Sequence, residues 1–368
     1  MADQNDNAAP ALKEIFNAER IHHIASEVKA IFPHFDEKNF LSASLQGLDA
    51  LSLMARLRRV TECLHATLPE DYRTGLGILR ELAPRLNHGF VTMILSDYVA
   101  LYGLDDFEAS IDALRFFTTF GSSEFAVRHF LRLDLHRTLA VMEDWSLDED
   151  EHVRRLASEG SRPRLPWSFR ITPLMTDPSP IVPILNNLKS DPSLYVRKSV
   201  ANSLNDITKD NPDIALELIE SWPLDDARTM WIAKHALRSL IKKGDRRALA
   251  VIGAGETAEV SLTEFCVSPA AIKLGGRIVL SFRLQSTSAK PQRLVVDYAI
   301  HYVKKNGATS AKVFKLKTLT LGPYASESVK REQLIRDFTT RVHYMGRHEV
   351  EILVNGESLG RASFDLIE

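Results

Sequence analysis

The sequence predicts a mainly α-helical chain that ends in an all-β domain: a superhelix of stacked helices followed by a sandwich of short strands. Three observations carry this. From about residue 11 to 250, apolar residues recur at three- and four-residue intervals, and proline or glycine interrupts them every 15–25 residues. A Val-Arg unit returns several times along the same stretch. After Gly255 the period shortens, and the apolar runs become brief, β-branched and aromatic.

In the helical part, LSLMARLRRVTECLHATL (51–68) shows the three-and-four spacing of one buried helix face. Asp191-Pro192 before LYVRKSVANSLNDI predicts a helix start, with an acceptor at the cap and proline at the first helical position. Asn211-Pro212 and Ser221-Trp222-Pro223 mark the next breaks. The repeated units are Val127-Arg128-His129, Val153-Arg154-Arg155, Val196-Arg197-Lys198 and Ile232-Ala233-Lys234-His235, spaced 26, 43 and 36 residues apart. Each gives a β-branched residue to a core and one or two cations to an adjacent face. Stacked helix pairs bury a continuous core and leave a curved groove, so these cations are expected to line one side of it.

In the β part, IVLSFRLQS (278–286), LVVDYAIHYV (294–303), KVFKLKTLTL (312–321) and HEVEILVNGESLG (348–360) read as strands. Asn306-Gly307 and Asn355-Gly356 are hairpin signals, because both residue types tolerate positive φ. Six or seven strands in about 110 residues suggest an immunoglobulin-like sandwich, without the antibody disulfide, since Cys266 is alone here. VIGAGETA (251–258) reads as a short linker. The expected organisation is a disordered N-terminus at 1–10, helical repeats at 11–255 and a β-sandwich at 256–368.

Composition excludes several classes. No run of 18 apolar residues exists, so no transmembrane helix is expected. The polar start MADQNDNAAPALKE lacks the basic and apolar stretches of a signal peptide. Cys63 and Cys266 form no zinc or disulfide pattern; a cytoplasmic location is therefore expected, with the nucleoid in a bacterium. The phosphate-loop, dinucleotide, HExxH and GxSxG motifs are all missing, and His22-His23 has no third ligand nearby. No metal and no cofactor are expected. The net charge of −2 hides a split: −10 over 1–150, then +4 over each of 151–255 and 256–368. The last two segments can attract a polyanion if their cations share a face.

The stretch VRRLASEGSRPRLPW (153–167) concentrates the candidate chemistry. Four arginines, Arg154, Arg155, Arg162 and Arg164, surround Glu159. That acid should sit in the last turn of a helix ending at Gly160, where the helix dipole disfavours it by ~0.3–1 kcal/mol. Trp167 follows Pro166 in a loop that reads as extended, and there it can either pack or stack on a ligand. Asp206 flanks the stripe Val196, Val200, Leu204 and Ile207 beside Ser199 and Asn202, a small polar flank that a ligand backbone could approach. Its ordinary partner would be Lys198 or Lys209. Glu124 falls in a first helical turn with Arg128 four residues on, which alone explains it as a helix-start acid.

VRRLASEGSRPRLPW, VRKSVANSLNDITKDNPD (196–213) and WIAKHALRSLIKKGD (231–245) resemble the HEAT-like-repeat DNA alkylation repair glycosylases, nearest to the AlkC branch, sister to AlkD. LVVDYAIHYVKKNG (294–307) resembles the immunoglobulin-like module at the C-terminus of some AlkC proteins. The resemblance implies a superhelix that clasps duplex DNA and hydrolyses the N-glycosidic bond of cationic alkylated bases, chiefly 3-methyladenine and 3-methylcytosine, without extruding the lesion. It implies that Glu124, Glu159, Asp206 and Trp167 serve the reaction. The cations expected on DNA are Arg154, Arg155, Arg162, Arg164, Arg170, Arg197, Lys198, Lys234, His235 and Arg238, with Lys304 and Lys305 on the β-domain. The expected partner is double-stranded DNA with alkylated bases, bound by a monomer. A noncatalytic repeat scaffold for DNA or protein is the alternative, with the same fold.

Overall fold

A computed structural model describes residues 12–338 and 341–368; the segment 1–10 lies outside the described residues. Among these, sixteen α-helices run from Ala18 to Val251 and eight strands from Val260 to Ile367. The chain divides into two compact units, Met1–Asn211 and Pro212–Glu368.

Among the described residues, the first unit has helices and no strands. Its helices start where a short polar side chain caps them. Ser52 caps Leu53–Thr67 and Asp150 caps Glu151–Gly160, each side chain accepting a backbone N–H of the first turn. The helix at Leu194–Asp210 corrects an expectation. Ser193, not Asp191, is its cap. Asp191 instead accepts the Ser193 N–H at 2.7 Å and closes the turn two residues earlier. The apolar stripe Val196, Val200, Leu204 and Ile207 is buried as its spacing requires.

The second unit begins with helices, including Pro212–Glu220, Ala227–Ala236, Arg238–Lys242 and Arg246–Val251. The strands follow: β1 Val260–Ser268, β2 Ala271–Lys273, β3 Arg277–Ser286, β4 Gln292–Val303, β5 Thr309–Leu321, β6 Ser326–Leu334, β7 Gly346–Val354 and β8 Glu357–Ile367. One sheet has the order β1-β3-β6 and the other β2-β8-β7-β4-β5. Leu280, Phe282 and Leu284 of the first sheet share a core with Val296, Tyr298, Ile300 and Ile352 of the second, the face-to-face packing of a sandwich.

The run at 348–360 forms the hairpin that Asn355-Gly356 signals, with β7 and β8 paired across it. Asn355 and Gly356 both take positive φ, 48° and 80°, as a tight two-residue turn demands. At Asn306-Gly307 only the glycine does, at 80°. Strand β4 is buried on both faces. Its even-numbered residues enter the sandwich core, whereas Val295 packs with Leu249, Ile252 and Ala254 of the preceding helical segment.

Candidate active site

Glu159 lies in the last turn of the 151–160 helix, and Asp206 lies one turn before the end of the 194–210 helix. Small residues let these helices meet: Ser158 and Ser199 share a 2.6 Å hydroxyl hydrogen bond. The flank expected to admit a ligand backbone at Ser199 is therefore spent on helix packing. Gly160 is the last residue inside its helix, not the residue beyond it. A Cβ there would come within 2.5 Å of Val127 Cγ1, so close approach of two helices demands glycine.

Arg162 joins the two acids. Its Nη1 donates to Glu159 Oε1 at 2.6 Å and its Nε to Asp206 Oδ2 at 2.9 Å. Lys209 Nζ holds the other Asp206 oxygen at 2.8 Å. Arg155 Nη2 is 3.6 Å from Glu159 Oε1, and the same guanidinium forms an ion pair with Glu124. Ser122 Oγ donates to Glu124 Oε2 at 2.8 Å and accepts from Arg155 Nη1 at 3.1 Å. Acids and cations thus alternate in one chain: Glu124, Arg155, Glu159, Arg162, Asp206, Lys209. The acids grow less exposed along it, with side-chain exposure of 15 % for Glu124, 8 % for Glu159 and 2 % for Asp206. Burial works against the charge of Arg162, but the pull of Glu159 and Asp206 outweighs it and raises the guanidinium above its ordinary value. The position of both acids near helix ends, unfavourable by the dipole alone, is explained by this shared cation.

Glu124 lies in the turn before the Val127–Leu133 helix, not in its first turn. Arg128, expected as its partner, is fully buried and faces away. It donates to the carbonyls of Gly160 and Arg162, at 2.8 and 2.7 Å, and to that of Phe169. Burial, first, and the neighbouring Arg162 push it down to about 10. Arg128 therefore pins both ends of the 160–169 turn, and Arg132 stacks 3.5 Å from the centroid of Phe169.

Trp167 sits in that turn with φ of 64° and is 70 % exposed. The expected extended loop is folded on itself: the Ser168 N–H reaches the Leu165 carbonyl at 3.4 Å, and the Ile171 N–H the Pro163 carbonyl at 3.1 Å. Positive φ at a bulky residue costs ~1–3 kcal/mol. With Phe125, His129, Phe169 and Met54, Trp167 lines an open pocket.

The remaining expected cations divide in two. Arg154 pairs with Asp191 at 2.7 Å and also holds the carbonyls of Asp148 and Glu149. Arg197 holds the carbonyls of Asp191 and Pro192. Both reach back five and six residues, so the Val-Arg repeat pins the loop that enters its own helix. Arg164 pairs with Asp210 through two bonds of 2.7 and 2.6 Å. Arg170 and Lys198 are exposed. In the second unit, Lys234, His235 and Arg238 lie on or next to the 227–236 helix, and exposed Lys304 and Lys305 flank the Asn306-Gly307 turn. The arginines do not ring a single acid. They are distributed over Glu124, Glu159, Asp191, Asp206 and Asp210, with partners 31 to 46 residues away in the chain for every pair except those with Glu159.

A family model described as the C-terminal Ig-like domain of the uncharacterised protein YhaZ matches residues 261–368. The uncharacterized protein YhaZ of Bacillus subtilis is 44 % identical over 347 residues, 94 % of this chain and 96 % of that protein. The solved structure of the Pseudomonas fluorescens alkylpurine DNA glycosylase AlkC, bound to DNA containing an abasic site analog, is 61 % identical. It covers 98 % of this chain and 100 % of its own, with a TM-score of 0.95. The chain belongs to the AlkC family. The fold expected from the sequence is therefore the fold of this AlkC-family protein. Sequence reasoning did not single out Ser122, Tyr195 or Phe169. Arg155 lies 5.1 Å over the Tyr195 ring, and Ser122 links Glu124 to Arg155. None of the three stands in a local pattern. The signal for Arg128 was present in its Val-Arg unit, but its partners are backbone carbonyls of a distant turn.

Proposed function

We propose that this protein is a DNA glycosylase that hydrolyses the N-glycosidic bond of cationic N-alkylated bases in duplex DNA. The substrates are 3-methyladenine and 3-methylcytosine, read without extrusion of the lesion. The observation that carries the reading is the alternating chain from Glu124 to Lys209 beside an exposed tryptophan, in a chain 61 % identical to an alkylpurine DNA glycosylase.

A cationic base is already a good leaving group, so the protein need not protonate it. What remains is to stabilise positive charge on the deoxyribose and to place a water. Carboxylates fixed before the reaction do the first, since they need not reorganise as charge develops. One of them serves as base for the water, as in glycoside hydrolysis. Glu124, the most open of the three, faces the sugar. Glu159 and Asp206 sit behind it, held by Arg155, Arg162 and Lys209 until DNA binds. A backbone phosphate competes with the carboxylates for the same guanidinium groups, so DNA binding turns the acids toward the sugar. Trp167 stacks beside the lesion. Residues 11–255 carry the reaction, and 256–368 add grip through Lys304 and Lys305. Unpaired Cys63 and Cys266 support a reducing cytoplasm.

The test is release of free methylated base from alkylated duplex DNA by the purified protein, with chelator and no cofactor. A noncatalytic scaffold would bind the duplex and release nothing.

A further inference from the structure

The second unit contains a cavity of about 210 Å³ whose charge the proposed reaction does not use. Lys234 of the 227–236 helix, Arg238 and Lys242 of the 238–242 helix, Arg293 of β4 and Lys315 of β5 line it. The carboxylate in the lining is Asp297 of β4. Five cations therefore converge on one acid. Among the described residues, Lys234, Lys242, Arg293 and Lys315 make no ion pair and no side-chain hydrogen bond. This is not for want of acids in the unit: Arg246 pairs with Glu357 and Arg247 with Glu220.

The backbone explains the convergence. Arg293, Val295 and Asp297 alternate onto the face of β4 turned away from the sandwich core, where Val295 packs on the helices. Lys315 is the register partner of Asp297, opposite a bulge that leaves Leu316 unpaired. Burial of Asp297 outweighs Lys242, the Leu316 backbone and Lys315, which favour its charged form. Asp297 is 6 % exposed, and its Oδ1 has no partner among the described residues. Crowded like charges repel: burial, and then Arg293 and Lys315, push the Lys234 ammonium below its ordinary value. An anion between them relieves that repulsion, and lysine points and arginine forks together suit a tetrahedral oxyanion.

We propose that this cavity is a phosphate seat, in which Lys234, Lys242, Arg293, Lys315 and Arg238 hold one phosphate group, supplied by a DNA backbone or as the free ion. The volume holds such a group with a few waters, at ~30 Å³ per water. Asp297 lies at its floor, where a bound anion makes the neutral carboxyl the favoured form and turns its hydroxyl into a donor. Only the backbone source rests on the glycosylase reading.

The full-length protein and its Lys242→Ala/Lys315→Ala variant separate the sources. In one arm, melting is compared in sodium phosphate and in sodium chloride of equal ionic strength. In the other, binding to undamaged duplex is measured against salt. The wild type should show a phosphate-specific rise in Tm that the variant loses. A log affinity–log salt slope shallower by ~1 in the variant assigns the seat to a backbone phosphate. A lost phosphate effect with an unchanged slope assigns it to free phosphate. If both readings match the wild type, the proposal is overturned. Asp297→Asn should bind phosphate several-fold more tightly, because a repelling charge is removed; weaker binding contradicts the seat. Wild-type protein that fails to bind duplex yet keeps the phosphate effect rejects the glycosylase reading and leaves the seat intact.

Discussion

Arg162 is the one guanidinium that bridges Glu159 and Asp206 among the described residues. It satisfies Glu159 and Asp206 at once, both nearly inaccessible to water. Breaking a buried pair by removing one partner costs ~3–5 kcal/mol, because the other charge is left uncompensated. Trp167 is the opposite case: exposed, strained and without a packing role in the core. Trp167→Ala should leave the melting temperature within a few degrees of wild type while weakening binding to damaged duplex by ~1–3 kcal/mol; an unchanged dissociation constant would remove it from the interface. Asp297 makes a pH prediction. Burial pushes its carboxyl up to about 6, against opposing pulls from Lys242, Leu316 and Lys315. Between the ordinary value and 6 the folded state binds more protons than the unfolded one. Stability is therefore lost as pH rises through that window, by about 3 kcal/mol in full. Asp297→Asn should be more stable than wild type at pH 7.5 in phosphate-free buffer, and the gain should vanish near pH 4; a gain that is constant with pH would deny the shift.

At the scale of elements, close contacts between helices set the site. Gly160 brings the 151–160 helix onto Val127, and the Ser158–Ser199 bond brings it onto the 194–210 helix. Gly160→Ala should cost ~1–3 kcal/mol by overpacking, seen as a lowered midpoint in urea, and should slow any reaction that depends on the acids; equal stability would mean that the helices part freely. Much of this level was legible in the sequence. Helical periodicity located the helices, and β-branched runs located β3, β4, β5 and the β7–β8 hairpin. Strands β1, β2 and β6 escaped because SLTEFCVS and SESVKREQL are only half buried and rich in polar residues. The acids were legible as helix-end oddities. Their partners were not, because the Arg162–Asp206 and Arg155–Glu124 pairs join residues 44 and 31 apart, which only stacking of successive helices brings together. The Val-Arg repeat was read as a groove lining. Its arginines at 154 and 197 each give Nη1 to two loop carbonyls, and Arg154 gives its other donors to Asp191, uses that a periodicity cannot reveal.

At the scale of the whole molecule, charge is unevenly placed: the first 150 residues are acidic and the remainder basic. Lys304 and Lys305 are two exposed cations of that basic remainder, on the β-sandwich. The Lys304→Ala/Lys305→Ala variant should bind duplex more weakly at low salt, with a slope reduced by up to ~2, and should excise normally once saturated; unchanged binding would make the turn a bystander. The central claim is that fixed carboxylates stabilise a sugar that turns positive. Single-turnover release of 3-methyladenine from methylated duplex, by wild type, Glu159→Gln and Asp206→Asn at saturating protein, tests it most directly. Both variants should keep duplex affinity and lose excision by about 10²-fold or more. Release from both variants at the wild-type rate would contradict that claim.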